Sequence, residues 1–267
     1  MTAPEVARAL TDIAAGRPVV VVDDDRAEGA VVFAAEKATP ALMAFTVRHT
    51  CGLVAVALPG ADCDRLQLRP MNGGDRESPY TVTVDAKNGV HTGISAADRA
   101  YTARLLASPD TAAADLSRPG HLMGLRVHGG GVLHRPQLPE AAVDLARLGG
   151  LRPAGVLCEL VSPRDPTRMA RASELAEFTA EHDLALVSIA GLVRHRVQTE
   201  LVRGAVTRQP VAHSEFQATS VLEGAEHVVV VDERAGVLVR LHRECPGAIG
   251  GVGPEVELYL RVPCDGD

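Results

Sequence analysis

The chain is short of several things, and each shortage excludes something. It has no tryptophan and only 3% aromatic residues, so a core must be assembled from valine, leucine, isoleucine and alanine. Positive charge is not in excess. The net charge of -7 over 267 residues leaves no broad basic face for a nucleic-acid binder, although a local pocket for a small anion stays open. No apolar run approaches the length of a membrane span. The opening MTAPEVARALTDIAAGRPVV lacks the basic-then-apolar pattern of a signal peptide. Cysteines 51, 63, 158, 245 and 264 are odd in number and form no CxxC pair. They read as free thiols of a reducing cytoplasm, with Cys158 as a small core residue. There is no internal repeat and no low-complexity tract.

What is present suffices for a globular fold. Hydrophobic residues make up 46%, enough for one large domain or a typical domain with a small appendage. Residues 4–15 carry Val6, Leu10 and Ile13 at helical spacing. VVVVDDD and AVVFAAE read as strands flanking an acidic turn. Thr39-Pro40 opens a helix to Arg48, and Ser95 caps another in SAADRAYTARLLAS. YTVTVDA alternates as a strand. HLMGLRVHGGGVLHRP reads as strand, glycine turn, strand. PEAAVDLARLGG and ASELAEFTAEHD read as helices, AGVLCELV as a strand, and LALVSIAGLVRHR as a strand and short helix. This mixture predicts an α+β or α/β domain over 1–198. From 199 to 267 the texture becomes strand-like and predicts a small β-rich appendage that includes EVELYLRV.

Two features bear on chemistry before any family is considered. The triplet Asp23-Asp24-Asp25 is either a solvated turn or part of a metal site. Glu159 sits in an apolar strand, where a carboxylate needs a partner or a raised pKa. His49, His91, His128 and His134 have no ligand spacing and read as surface or packing residues. The triple glycine at 129–131 lacks the Lys-Ser/Thr of a phosphate-binding P-loop and reads as a tight turn.

The blocks FAAEKATPALMAFTVRHT, YTVTVDAKNGVHTGISAADRAYT, RPGHLMGLRVHGGGVLHRP, EAAVDLARLGGLRPAGVLCEL and LALVSIAGLVRHR resemble 3,4-dihydroxy-2-butanone 4-phosphate synthase, from about residue 5 to 198. The appendage resembles the start of GTP cyclohydrolase II, with RLHREC in place of that family's RVHSEC. The first resemblance implies an α+β homodimer with sites at the subunit interface. It also implies a lyase acting on D-ribulose 5-phosphate, with magnesium holding vicinal oxygens. Residue by residue, it implies phosphate binding by Arg26, Thr92 and Arg135, and acid–base roles for His121 and Glu159.

The same resemblance exposes departures. The family's acidic turn typically reads DDEDRENEGD; here it is DDDRAEGA. The first glutamate, a metal ligand, falls in a gap or at Ala27, and the final aspartate is Ala30. The family's R-x-G-H-T-E is RPQLPE here, so the ligand histidine is Leu138 and the phosphate-binding threonine is Pro139. Neither replacement can bind a cation. Asp23, Asp24 and Glu28 are left as possible contributors to a shifted magnesium site. Zinc is not expected, because the downstream cysteine pair of a cyclohydrolase is absent after Cys245; cyclohydrolase activity is therefore not expected either. Three functions follow as expectations: a divergent enzyme performing enolisation or dehydration on a ketose phosphate with its metal site degraded, a silent pseudoenzyme that binds a sugar phosphate or an active paralogue, or a true synthase of the riboflavin precursor.

Overall fold

The computed structural model describes residues 4–71 and 79–201, and the backbone of four strands between 207 and 243. The loop at 72–78, Cys245, Cys264 and the expected strand EVELYLRV lie outside the described residues. The chain divides into two compact units, 1–195 and 196–267.

The first unit is an α+β fold on a seven-stranded mixed sheet. Its first element, α1 (Pro4–Ala14), buries Val6, Ala9 and Ile13 along one face. The strands β1 (Val19–Asp23) and β2 (Glu28–Ala34) form an antiparallel hairpin around the acidic turn. The helix α2 (Pro40–His49) starts where the sequence places it. The Thr39 hydroxyl accepts the Leu42 amide at 3.1 Å, and Pro40 occupies the first turn, where no intrahelical N–H is needed. There follow β3 (Ala55–Pro59), α3 (Gly60–Arg65), β4 (Tyr80–Ala86) and α4 (Ala96–Ala107). Ser95 caps α4 by accepting the Asp98 amide at 3.0 Å. The unit continues with β5 (Leu116–Val127), α5 (Leu138–Leu148), β6 (Gly155–Glu159), α6 (Ala172–His182), β7 (Ala185–Ser188) and α7 (Ile189–Arg196), whose last residue is the first of the second unit.

Strand order is β4-β5-β3-β6-β2-β1-β7, with β3/β5 and β1/β7 parallel and the other pairs antiparallel. Alternation along the strands separates two apolar layers. Val31, Phe33, Val56, Leu58, Val84, Leu122 and Val156 join Met43 of α2, Leu106 of α4 and Leu175 of α6 in one cluster. The opposite face receives α5, which packs on β2, β3 and β6 and against α1. Because β2 sits mid-sheet with helices on both sides, its residues from Gly29 to Ala34 are all buried.

One local expectation is corrected. The stretch after the triple glycine is not a strand. Gly131 takes a positive φ of 59°, Gly131–Leu133 form a single 3-10 turn, and the chain then enters α5. The short helix α3 was not anticipated; six residues are too few to show a helical period.

In the second unit, Val197–Leu201 form a helical turn. The strands β8 (Thr207–Val211), β9 (Glu215–Leu222), β10 (Ala225–Asp232) and β11 (Arg240–Arg243) make an antiparallel sheet in the order β11-β10-β9-β8. The expected β-rich character of the C-terminal region is present. Among the described residues, no helix is long and apolar enough to cross a membrane.

Candidate active site

Met123 of β5, Ala55 of β3 and Leu157 of β6 are register partners across three adjacent strands. With Leu125 they floor an open cleft of about 140 Å³. Its polar rim comes from three places: Asp23 and Arg26 at the end of β1 and in the turn beyond it, Glu159 at the end of β6, and Gln137 at the entry to α5. Leu138 and Pro139, the two positions where the family motif would supply metal- and phosphate-binding groups, also line it.

Glu159 departs from its expected setting. The other four residues of β6 are buried, but Glu159 is the last of the strand and is exposed. Its carboxylate therefore does not have to survive inside an apolar layer. Its backbone carbonyl accepts the Cys51 amide at 2.9 Å, which ties the chain after α2 to the end of β6.

The acidic turn is largely hydrogen-bonded to its own surroundings. Asp23 Oδ1 accepts the amides of Asp25 (3.1 Å) and Arg26 (3.2 Å), and Asp23 Oδ2 lies 3.8 Å from Arg26 Nε. Asp24 accepts the Ala190 amide at 2.8 Å, in the first turn of α7, where a carboxylate suits the helix dipole. Glu28 lies 3.3 Å from Arg171 Nη1, which also donates to the Arg26 carbonyl. Of Asp23, Asp24 and Glu28, only Asp23 reaches the cleft. Ala27 adopts a left-handed φ of 54° within this turn.

His121, Thr92 and Arg135 lie outside the cleft lining, in two further groups. The β4/β5 ladder pairs Val84 with Leu122 and then Asp85 with Ser117, so residues 118–121 bulge out of register. The bulge delivers His121 to Asp85. Asp85 Oδ1 accepts the His121 amide at 2.9 Å, and Asp85 Oδ2 lies 2.6 Å from His121 Nδ1. An imidazole held through Nδ1–H by a buried carboxylate presents Nε2 for proton exchange. Gly93 makes this possible. A Cβ there would stand 2.1 Å from Asp85 Oδ2 and 2.9 Å from His121 Nδ1. Thr92, the residue before it, is exposed.

Arg135 donates to Glu140 through Nε at 2.7 Å and approaches it through Nη2 at 2.5 Å. Glu140 is fully buried, and its Oε1 also accepts the His128 amide at 3.2 Å. His128 and His134 stack with ring centroids 3.4 Å apart. Burial, then the His128 and Arg135 charges, push His134 below its ordinary pKa. Neither Asp85 nor Glu140 was singled out from the sequence. Asp85 lies 36 positions from His121, and only the bulge brings them together. The short spacing of Arg135 and Glu140 was a legible hint. Among the described residues, no three His, Cys, Asp or Glu side chains converge as a metal-holding group.

The riboflavin biosynthesis protein RibBA of Nocardia farcinica is 53% identical over 96% of this chain, and this chain spans about two thirds of that protein, 67% of its length. A crystal structure of 3,4-dihydroxy-2-butanone 4-phosphate synthase in complex with two magnesium ions superposes with a TM-score of 0.67, at 36% identity, over 73% of this chain and 97% of its own. RibBX from A. baumannii, a two-domain 3,4-dihydroxy-2-butanone 4-phosphate synthase, gives a TM-score of 0.70 at 32% identity over 90% of this chain and 70% of its own. The sequence profile of 3,4-dihydroxy-2-butanone 4-phosphate synthase matches residues 7–195, so the cleft, the bulge and the hairpin described above all fall within it, and the chain belongs to that family.

Proposed function

We propose that the cleft between Asp23, Arg26 and Glu159 binds a ketose phosphate of the ribulose 5-phosphate class, and that this chain performs acid–base enolisation or dehydration on it. The observation that carries this reading is the convergence of Arg26 and the exposed Glu159 on one cleft, from segments 133 positions apart. A guanidinium suits a phosphate dianion because it offers paired donors in a fixed plane. The amino end of α5 opens on the same cleft and adds a favourable dipole, although Pro139 removes one amide donor there. Glu159 is the carboxylate placed to accept a proton from the sugar carbon chain. His121, with Nδ1–H held by Asp85, is the second proton carrier that the resemblance implies, and it lies outside the lining of this cleft.

Magnesium would polarise vicinal oxygens and stabilise the enediolate that forms from the ketose. The described side chains of the cleft do not fit a pair of such ions. Among the described residues, Asp23 and Glu159 are its two acidic lining residues, one oxygen of Asp23 is already engaged by two amides, and Leu138 and Pro139 contribute no side-chain oxygen ligand. We therefore assign the early proton transfers to this chain's own side chains.

A second reading is true synthesis of the riboflavin precursor with one shifted magnesium. The 53% identity to a riboflavin biosynthesis protein favours it. Incubation with ribulose 5-phosphate, with magnesium and then with chelator, followed by NMR, separates the two. A product insensitive to chelator supports the first reading. Magnesium-dependent formate supports the second, and sugar that binds unchanged overturns both. Glu159→Gln and His121→Gln should each lower turnover by about 10²–10⁴-fold. Unaltered turnover in His121→Gln would remove that residue from the chemistry.

We also assign a second copy of the chain to the cleft mouth, where Leu53 is 61% and Tyr80 50% exposed. Such large apolar side chains at one rim suit a homodimer contact. Sedimentation velocity giving a monomer would contradict this.

A further inference from the structure

We propose that Cys51 and Cys158 form an oxidative modification site, in which exposed Cys51 attacks a hydroperoxide and buried Cys158 closes a disulfide beside the cleft. The two sulfurs already touch, with Sγ–Sγ 3.7 Å. A disulfide requires about 2.05 Å, a closure within reach of a loop side chain. Cys51 lies in the loop just after α2, and Gly52 follows it at φ 77°. Cys158 lies in β6, and the Thr50 hydroxyl sits 2.9 Å from its sulfur. The Cys51 amide donates to the carbonyl of Glu159, so the two backbones are already fastened side by side.

The pair is asymmetric in the way such chemistry needs. Cys51 is exposed and Cys158 is buried. The hydrogen bond shared with Cys158 brings Cys51 down to about 6, with burial opposing. That same bond and burial raise Cys158. Exposed Cys51 is thus the sulfur placed to react first, with Cys158 behind it. Cys63 provides an internal contrast. It is buried, contacts the Leu58 carbonyl, and is raised to about 11 by burial.

The chemistry balances in two steps. The Cys51 sulfur bonds to one peroxide oxygen as the O–O bond breaks, and the departing alkoxide takes a proton to become an alcohol. The Cys158 sulfur then bonds to the Cys51 sulfur of the sulfenic acid, and the S–O bond breaks. Hydroxide leaves as water with the thiol proton. Two thiols and one hydroperoxide become a disulfide, an alcohol and water, with two electrons passing from sulfur to the peroxide. In a reducing compartment such a bond is transient and signals rather than supports the fold. It would tie the Cys51–Leu53 loop to the residue before Glu159, so both walls of the cleft would be pinned at once.

The test uses the full chain, reduced, desalted and treated with equimolar hydrogen peroxide at neutral pH. Non-reducing peptide mapping should show a cross-link joining the Cys51 and Cys158 peptides, lost on adding dithiothreitol. Cys51 should react more than about tenfold faster than Cys63. Cys158→Ser should stop at a sulfenic acid on Cys51 that dimedone traps, and Cys51→Ser should abolish the cross-link. A Cys245→Ser/Cys264→Ser chain should behave as the parent does. Over-oxidation of Cys51 with Cys158 still free, or a cross-link that vanishes in the Cys245→Ser/Cys264→Ser chain, would overturn the proposal.

Discussion

Arg26 and Arg135 carry the same charge in two very different regions of the molecule. Arg26 sits in the hairpin turn 24–27 with its side chain 67% exposed, and its nearest carboxylate, Asp23, is 3.8 Å away. Arg135 sits in the segment between β5 and α5, against a glutamate that no solvent reaches. The resemblance to the family treats both as phosphate ligands, but their surroundings set different tasks. An exposed guanidinium with a weak partner is free to meet a ligand at little cost. One that neutralises a buried carboxylate is first a part of the fold. The matched motif gives the residue type; its neighbours decide how much of it is left for function.

Removing Arg135 should have the largest effect and so tests the contrast most sharply. Arg135→Ala leaves the Glu140 carboxylate buried without its cation, and about 3–5 kcal/mol of stability should be lost in urea titration. Arg135→Ala/Glu140→Gln should recover most of it, and failure to recover would show that the pair is not the cause. Arg26→Ala should leave stability within about 0.5 kcal/mol. It should instead weaken binding of ribulose 5-phosphate, measured by calorimetry, by about 1.5–3 kcal/mol. Equal losses of stability in both variants would erase the distinction.

A smaller change concerns the turn itself. Ala27 holds a left-handed φ of 54° that glycine adopts without steric penalty. Ala27→Gly should therefore raise stability by about 0.5–1 kcal/mol, read as an increase in Tm, although the more flexible unfolded chain offsets part of the gain.

The smallest effect is electrostatic, and its sign is fixed. His134 is held below its ordinary value of 6.5 by burial and by the His128 and Arg135 charges. His49 is lowered too, by burial and then by His182 and Arg48. Below 6.5 the unfolded chain takes up protons that the folded chain resists, so stability declines as pH falls through this window. Tm between about pH 7.5 and pH 5.5 should drop less steeply in His134→Gln; an unchanged slope would exclude His134 as a source. The lowered carboxyls of Glu174 and Asp183 act further down. Their contributions are present above 4.5 and 3.8, and are lost as pH falls through their still lower folded values.

Much of the scaffold was legible because local rules and tertiary packing agree there. Thr39-Pro40 and Ser95 start helices as their chemistry demands, and the alternation of YTVTVDA becomes β4 over those same residues. The segment 131–137 was misread because its apolar residues suggest a strand, whereas Gly131 at positive φ and two nearby prolines turn the chain into α5. The cleft was legible in part. Asp23, Arg26 and Glu159 were named and do line one cavity. The partners that define the other candidates, Asp85 behind His121 and Glu140 behind Arg135, were not, because burial and bulge geometry leave no periodic trace. Nor could spacing reveal that Asp24 serves the amino end of α7 and Glu28 an arginine of the segment before α6.

The crowding around residue 93 has an evolutionary corollary. Alanine is the mildest substitution a mutation can introduce there, yet its methyl group would occupy the space in which a carboxylate oxygen meets an imidazole. Drift at that site would separate the carboxylate from the imidazole while the surrounding layers stay assembled, so a lineage could lose this pair without losing a folded protein.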